Sequence, residues 1–94
     1  MTRSRKARPH DDRDYVAAAT RRYGLTRRME AAARLHFNDF CEKETAHTLG
    51  IHEGTLKGRL RVIYLKMDVH SKAQFVSRVY EAWIDEDGHA THSS

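Results

Sequence analysis

Two short amphipathic segments separated by a glycine constrain the fold of this 94-residue chain more than any other feature. Residues 42–49 and 53–67 both place apolar side chains at helical spacing, and the second does so along its whole length. Gly50 follows the first segment, where a left-handed backbone ends a helix without steric cost. Ile51 then supplies an apolar anchor for the turn. The pattern predicts two closely crossing helices, with the small Ala46 at the crossing.

The rest of the chain repeats the helical period and shows no alternation typical of strands. Thr26 and Ser71 are expected to cap helices, and Gly24 to end one. We predict an all-α fold, a tetrahelical helix-turn-helix bundle with an extra N-terminal helix. The predicted helices span residues 11–23, 26–37, 42–49, 53–67 and 71–84.

Length limits the chain to one small domain. We predict that residues 11–84 form it, with the extra helix at 11–24 and the core at 25–84. Residues 1–10 are expected to be a disordered basic arm, and residues 85–94 a flexible tail.

Composition argues against a membrane-spanning or secreted protein and leaves a polyanion-binding protein open. Lysine and arginine total 17 against 13 acidic residues, giving a net charge of +4 that suits a polyanionic partner but is also common elsewhere. No apolar run approaches the ~20 residues that span a bilayer, and the basic N-terminus lacks the apolar stretch of a signal peptide. The single cysteine, Cys41, cannot form an internal disulfide, which fits the reducing cytoplasm. Together these features predict a cytoplasmic protein without membrane contact.

Residues that suggest chemistry do not form a recognisable site. His47 and His52 lie near Cys41 in sequence, but no pair has the spacing of a structural zinc site, so no metal or cofactor is expected. Cys41 begins a predicted helix and is either inert or a thiol sensor. The chain has no glycine-rich phosphate loop and no paired carboxylates in an apolar setting. We predict that it is not an enzyme.

Four ordered motifs resemble those of the LuxR-type (GerE-like) helix-turn-helix family. The opening L-T-x-R is matched by Leu25-Thr26-Arg27-Arg28, and the scaffold helix by residues 43–49. The turn and following helix are matched by residues 51–57, and the family's ending by residues 66–75. The resemblance runs without a gap from about residue 25 to residue 79. It implies a domain of four helices that binds double-stranded DNA.

The resemblance assigns roles by position. The helix at residues 53–67 would enter the major groove, where lysine and arginine donate to guanine edges. The last helix would pair two copies, which its tyrosine and tryptophan also favour. The base-reading residues would be Lys57, Gly58 and Arg61. The phosphate-binding residues would be Lys43, Thr55, Arg59, Lys66 and Lys72. The dimer contacts would be Val76, Val79, Tyr80 and Trp83.

Several residues depart from the family's pattern. Met29 replaces a glutamate that would complete a capping box with Thr26, and Cys41 replaces a serine cap. A bulky apolar pair is replaced by residues 32 and 33, both alanine, so Phe37 and Phe40 are expected to refill the core.

We therefore expect a bacterial, sequence-specific, homodimeric transcription regulator, cytoplasmic and associated with the nucleoid. RNA polymerase or a larger regulator would be further partners. One alternative is a protein-interaction module that pairs with a larger LuxR-type regulator. Another is a sigma region-4-like DNA-binding domain, which residues 55–60 also resemble, although residues 69–75 argue against it. The basic arm at residues 1–10 is either a solvated tail or a contact to DNA.

Overall fold

The computed structural model describes residues 14–88, which are helical apart from short connections and contain no strand. The predicted all-α fold is confirmed. The second to fourth helices match the predicted segments to within one residue, while residues 11–13 of the first lie outside the described part. The helices are α1 (Tyr15–Tyr23), α2 (Arg27–Phe37), α3 (Glu42–Leu49), α4 (Glu53–Met67) and α5 (Lys72–Trp83), followed by a π-helical turn at Ile84–Gly88.

The helix ends are set by the residues that the sequence indicates. The Thr26 side chain accepts from the Met29 amide at 3.2 Å, and Ser71 accepts from the Gln74 amide at 3.2 Å. The Gln74 side chain reaches back to the His70 amide at 2.6 Å, one residue before the cap. These bonds satisfy amides that a helix start leaves unpaired.

Cys41 caps α3 better than its residue type suggests. Its Sγ accepts from the Glu44 amide at 3.5 Å, and the Glu44 side chain accepts from the Cys41 amide at 3.1 Å. This reciprocal pair is a capping box. The thiol is exposed as well as serving as the cap.

Small side chains bring the helices close together. Ala32 and Ala33 of α2 are completely or almost completely buried. Phe37 at the end of the same helix is also buried, whereas Phe40 is only half-buried, so Phe37 fills more of the core. The largest fully buried apolar side chains come from α4 and α5: Leu56, Ile63, Met67, Phe75 and Val79.

The extra helix α1 packs on α5 more extensively than any other pair of helices meets. The ring of Tyr15 lies edge-on to those of Tyr80 and Trp83, with centroids 4.8 and 5.1 Å apart. The charged end of α1 meets the turn that follows α5. Arg21 binds Glu86 at 2.5 Å, and Arg22 binds Asp85. The hydrogen bond from Arg21 lowers the pKa of the Glu86 carboxyl.

These pairs involve residues at the start of the predicted tail. Asp85 and Glu86 belong to the π-helical turn and bind α1, so helical structure continues past residue 84. The basic arm predicted at residues 1–10, and residues 89–94 of the tail, lie outside the described residues.

Thr45 of α3 carries a buried hydroxyl that has no hydrogen-bond partner within residues 14–88. Replacing it with valine keeps the branched shape and removes the unpaired polar atom. We expect Thr45→Val to raise the free energy of unfolding by about 1 kcal/mol, measured by urea denaturation. Thr45→Ala is the comparison, and it is expected to lower stability because it leaves a cavity. A loss of stability in the valine variant would contradict the prediction.

His36 at the end of α2 is mostly enclosed by aromatic rings. Its Nε2 lies 2.9 Å from the Tyr64 hydroxyl, and its ring centroid is 4.9 Å from that of Phe75. Burial is the largest cause that lowers the pKa of His36 from 6.5 to about 4; the nearby Lys72 adds to the shift and Asp39 opposes it. The folded protein therefore holds this imidazole neutral where the unfolded chain would protonate it.

The lowered pKa makes stability depend on pH. The contribution of His36 to the free energy of unfolding is fully present above pH 6.5 and is lost as the pH falls through about 4. We expect the free energy of unfolding to fall by about 2 kcal/mol between pH 7 and pH 4. This is less than the full pKa shift would give, because the ring is partly exposed to solvent. His36→Gln should reduce this slope in urea titrations at each pH. His47→Gln, which removes an exposed histidine, should leave it unchanged. Equal slopes in all three proteins would exclude His36 as the source.

Candidate nucleic-acid interface

The turn between α3 and α4 is closed by backbone hydrogen bonds. Gly50 adopts a left-handed conformation with φ of +69°, as the sequence predicts. The amide of Ile51 then donates to the Ala46 carbonyl at 3.0 Å, and that of Gly50 donates to the His47 carbonyl at 3.1 Å. These bonds satisfy the last carbonyls of α3 and direct the chain into α4.

Helix α3 passes behind α4 from one flank to the other. At its start, Glu42 Oε1 lies 4.0 Å from Lys57 Nζ on one flank of α4. At its end, Leu49 and Ile51 line a cleft with Arg59 on the other flank. The buried Ala46 lies between these points, consistent with a close crossing. This arrangement holds the opposite side of α4 away from the bundle.

Helix α4 divides into an apolar face and an outer face. Its apolar residues are buried at helical spacing, namely Leu56, Leu60, Ile63 and Met67. Gly54, Gly58, Arg61 and Leu65 occur three or four residues apart and form the line opposite that face. All four are exposed, so this line is the outermost part of the helix.

The predicted base-reading residues lie on or beside this line. The Lys57 side chain is 62% exposed, and its 4.0 Å separation from Glu42 makes a weak pair at best. Arg61 is exposed, and no carboxylate within residues 14–88 pairs with it. Gly58 leaves bare backbone between them, and a Cβ added there would meet no side chain and no other helix within 4 Å, apart from its chain neighbours. The structure brings these three residues together on one accessible surface.

The predicted phosphate-binding residues divide into two groups. Lys43, Thr55 and Lys66 are exposed, and Arg59 is half-buried at the edge of α4. Lys72 differs, because its Nζ lies 3.0 Å from Asp39 Oδ1 in an ion pair that links α5 to the turn before α3. This pair competes with any anion for Lys72.

The predicted dimer contacts require a correction. Val79 is completely buried within the protomer and has no surface to offer a partner. Tyr80 and Trp83 are half-buried against Tyr15, so α1 covers the face that the sequence assigned to a second copy. Val76 is half-buried and packs against the same core. The α5 face is therefore largely closed within one chain.

The structure also adds residues that the sequence analysis did not assign. Leu65 is 73% exposed and Val62 is 40% exposed, both on the outer side of α4. Arg28 of α2 lines the same cleft as Arg59 of α4. The signal for Leu65 was present in the sequence, since it falls off the period of the four buried apolar residues. Nothing in the sequence near Arg28 indicates that it lines a cleft with Arg59, because that proximity depends on how α2 and α4 pack.

Gly58 offers a direct test of what approaches α4. Gly58→Ala is expected to raise the free energy of unfolding by up to about 1 kcal/mol, because alanine favours a helix and nothing obstructs its Cβ. If backbone must approach a base pair here, the same change should weaken DNA binding. Thermal unfolding and binding assays on one preparation separate the two effects. Gly54→Ala is the control for helix propensity, and a loss of stability in Gly58→Ala would contradict the structure.

No helix within residues 14–88 combines the length and apolar character needed to cross a membrane. In the same part of the chain, no three histidine, cysteine or acidic side chains are grouped so that they could hold a metal ion. Comparisons with protein-family models, curated proteins and solved structures give no match to this chain.

Proposed function

We propose that this protein is a DNA-binding transcription regulator whose helix α4 enters the major groove of a double-stranded site. The proposal includes the LuxR-type resemblance of residues 25–79 and a location in the cytoplasm, at the nucleoid. Phosphate contacts supply most of the affinity, and base contacts along α4 supply the sequence preference.

One observation carries this proposal: the outer side of α4 is cationic, exposed and free of bulky obstruction at its centre. Lys57 and Arg61 flank the bare backbone of Gly58. A single helix fits a major groove about 12 Å wide, and each well-made arginine pair with guanine contributes about 1–3 kcal/mol of discrimination. The buried apolar face of α4 holds the helix against the bundle, so the side that carries Lys57 and Arg61 faces away from it before DNA arrives.

A homodimer is part of the proposal. Two copies on a symmetric site would place their α4 helices in successive major grooves about 34 Å apart. Because α1 covers Tyr80 and Trp83, the two copies meet through other surfaces. RNA polymerase or a larger regulator is the proposed further partner.

Selection from a random pool of DNA duplexes tests the proposal. The purified protein is incubated with the pool at two salt concentrations, and the bound sequences are read after several rounds. Recovery of a two-fold-symmetric site supports regulation by a homodimer, and an unsymmetric site supports binding by one copy. Recovery of unrelated sequences that are lost at the higher salt concentration would contradict sequence-specific binding.

A second candidate function is supported by the exposed apolar residues of α4. Val62 and Leu65 are three residues apart on one side of the helix, and together they form a small apolar patch. A protein-interaction module that pairs with a larger regulator would use such a patch. Leu65→Ala and Arg61→Ala discriminate the two functions. Loss of DNA binding in the arginine variant alone favours the regulator, whereas loss of a protein partner in the leucine variant alone favours the module.

A further inference from the structure

A cleft beside α4 contains two arginines that approach it from different helices. It has a volume of about 360 Å³, and its lining residues are Arg28, Ala31, Leu49, Ile51 and Arg59. The charged residues of this lining are both arginines, and no carboxylate contributes to it. The cleft therefore combines two cationic side chains with three apolar ones in its lining.

The two guanidinium groups are not neutralised by the described part of the chain. Within residues 14–88, neither Arg28 nor Arg59 forms an ion pair with a carboxylate, in contrast to Arg21, Arg22 and Arg34. Two like charges at one depression repel each other unless an anion lies between them. The half-buried Leu49 and Ile51 limit water on one side, which strengthens the attraction for such an anion.

The position of the cleft identifies the anion. Arg59 lies on the flank of α4, one residue after Gly58, so the cleft borders the surface proposed to enter the groove. When a helix lies in a major groove, the sugar-phosphate strands run along its flanks. A guanidinium group presents a planar fork that matches a phosphate, and two forks can share its oxygens.

We propose that Arg28 and Arg59 together hold one backbone phosphate of duplex DNA in this cleft. This inference rests on the proposed DNA binding. It adds Arg28 to the phosphate-binding residues and lets it share one phosphate with Arg59. The shared phosphate fixes the depth at which α4 enters the groove, because α2 and α4 are then both tied to the same strand.

A binding assay on one fixed, mixed-sequence DNA duplex tests the inference. Affinity is measured by fluorescence anisotropy at a range of salt concentrations. Arg28→Ala is expected to weaken binding about tenfold. The slope of log affinity against log salt is expected to fall by about 0.9 in the double variant Arg28→Ala/Arg59→Ala, because one phosphate contact is lost. A fall of about 1.8 would show two separate phosphates and would overturn the shared site.

Arg27→Ala is the matched control. Arg27 is exposed, carries the same charge and precedes Arg28, but it does not line the cleft. Its replacement should change affinity much less than that of Arg28, and Arg28→Lys should recover only part of the loss because lysine lacks the fork. Equal effects of Arg27→Ala and Arg28→Ala would overturn the inference while leaving DNA binding intact. Failure of the unmodified protein to bind any duplex would instead overturn the proposed function, and this inference with it.

Discussion

Replacing Arg61 with alanine should weaken binding to the selected DNA site by about 5- to 150-fold. The loss corresponds to the approximately 1–3 kcal/mol that a bidentate arginine–guanine contact contributes. Sequence preference should relax most at the base pair that Arg61 reads, and discrimination at other positions should remain. Titration of the variant against the selected site and against single-base-pair changes measures both effects.

The control for Arg61 is Arg22 on α1. Arg22→Ala removes the same charge, but Arg22 lies on the helix that packs against α5 and is paired with Asp85. Its replacement should leave DNA affinity nearly unchanged. Neither variant should alter the free energy of unfolding by more than about 0.5 kcal/mol, because both side chains are exposed. If both variants bind the selected site equally well, α4 does not read bases through Arg61.

Replacing Leu56 with alanine should have the largest effect on stability, a loss of about 2–5 kcal/mol. Leu56 is completely buried at the start of α4, directly behind the surface proposed to contact DNA. Its removal leaves a cavity in the core of the bundle, and the chain is too small to absorb much of that loss. Urea denaturation of the variant, monitored by circular dichroism, measures the change in the free energy of unfolding.

Leu65 provides the matched control, since it is the same residue type on the same helix and is 73% exposed. Leu65→Ala should change the free energy of unfolding by no more than about 0.5 kcal/mol, because few contacts are lost and alanine favours the helix. Equal losses in the two leucine variants would contradict the assigned orientation of α4. The comparison thus checks the face of α4 independently of any DNA assay.

The sequence predicts most of the helical framework because its determinants are local. Gly50 enforces a turn that few other residues accept, and Thr26 and Ser71 pair with amides only three residues away. The period of the apolar residues in α4 places the exposed side of that helix without reference to the other helices. For this reason Lys57 and Arg61 could be assigned to an accessible surface.

The contacts that the sequence does not predict join distant segments. Nothing local indicates that Tyr15 covers Tyr80 and Trp83, so the sequence alone predicts a dimer contact for an aromatic face that packs on α1. The pairing of Lys72 with Asp39 has the same origin. Such pairings depend on the angles at which helices pack, and these angles are set by many side chains at once.

The packing of α1 on α5 also bears on how the protein folds. It joins residues near the two ends of the described chain, so it closes the longest loop between helices within residues 14–88. Helices α2, α3 and α4 are neighbours in sequence and can associate at a small entropic cost, whereas α1 must wait for α5 to be in place. We expect α1 to dock late in folding, with a transition state that already contains the crossing of α3 and α4.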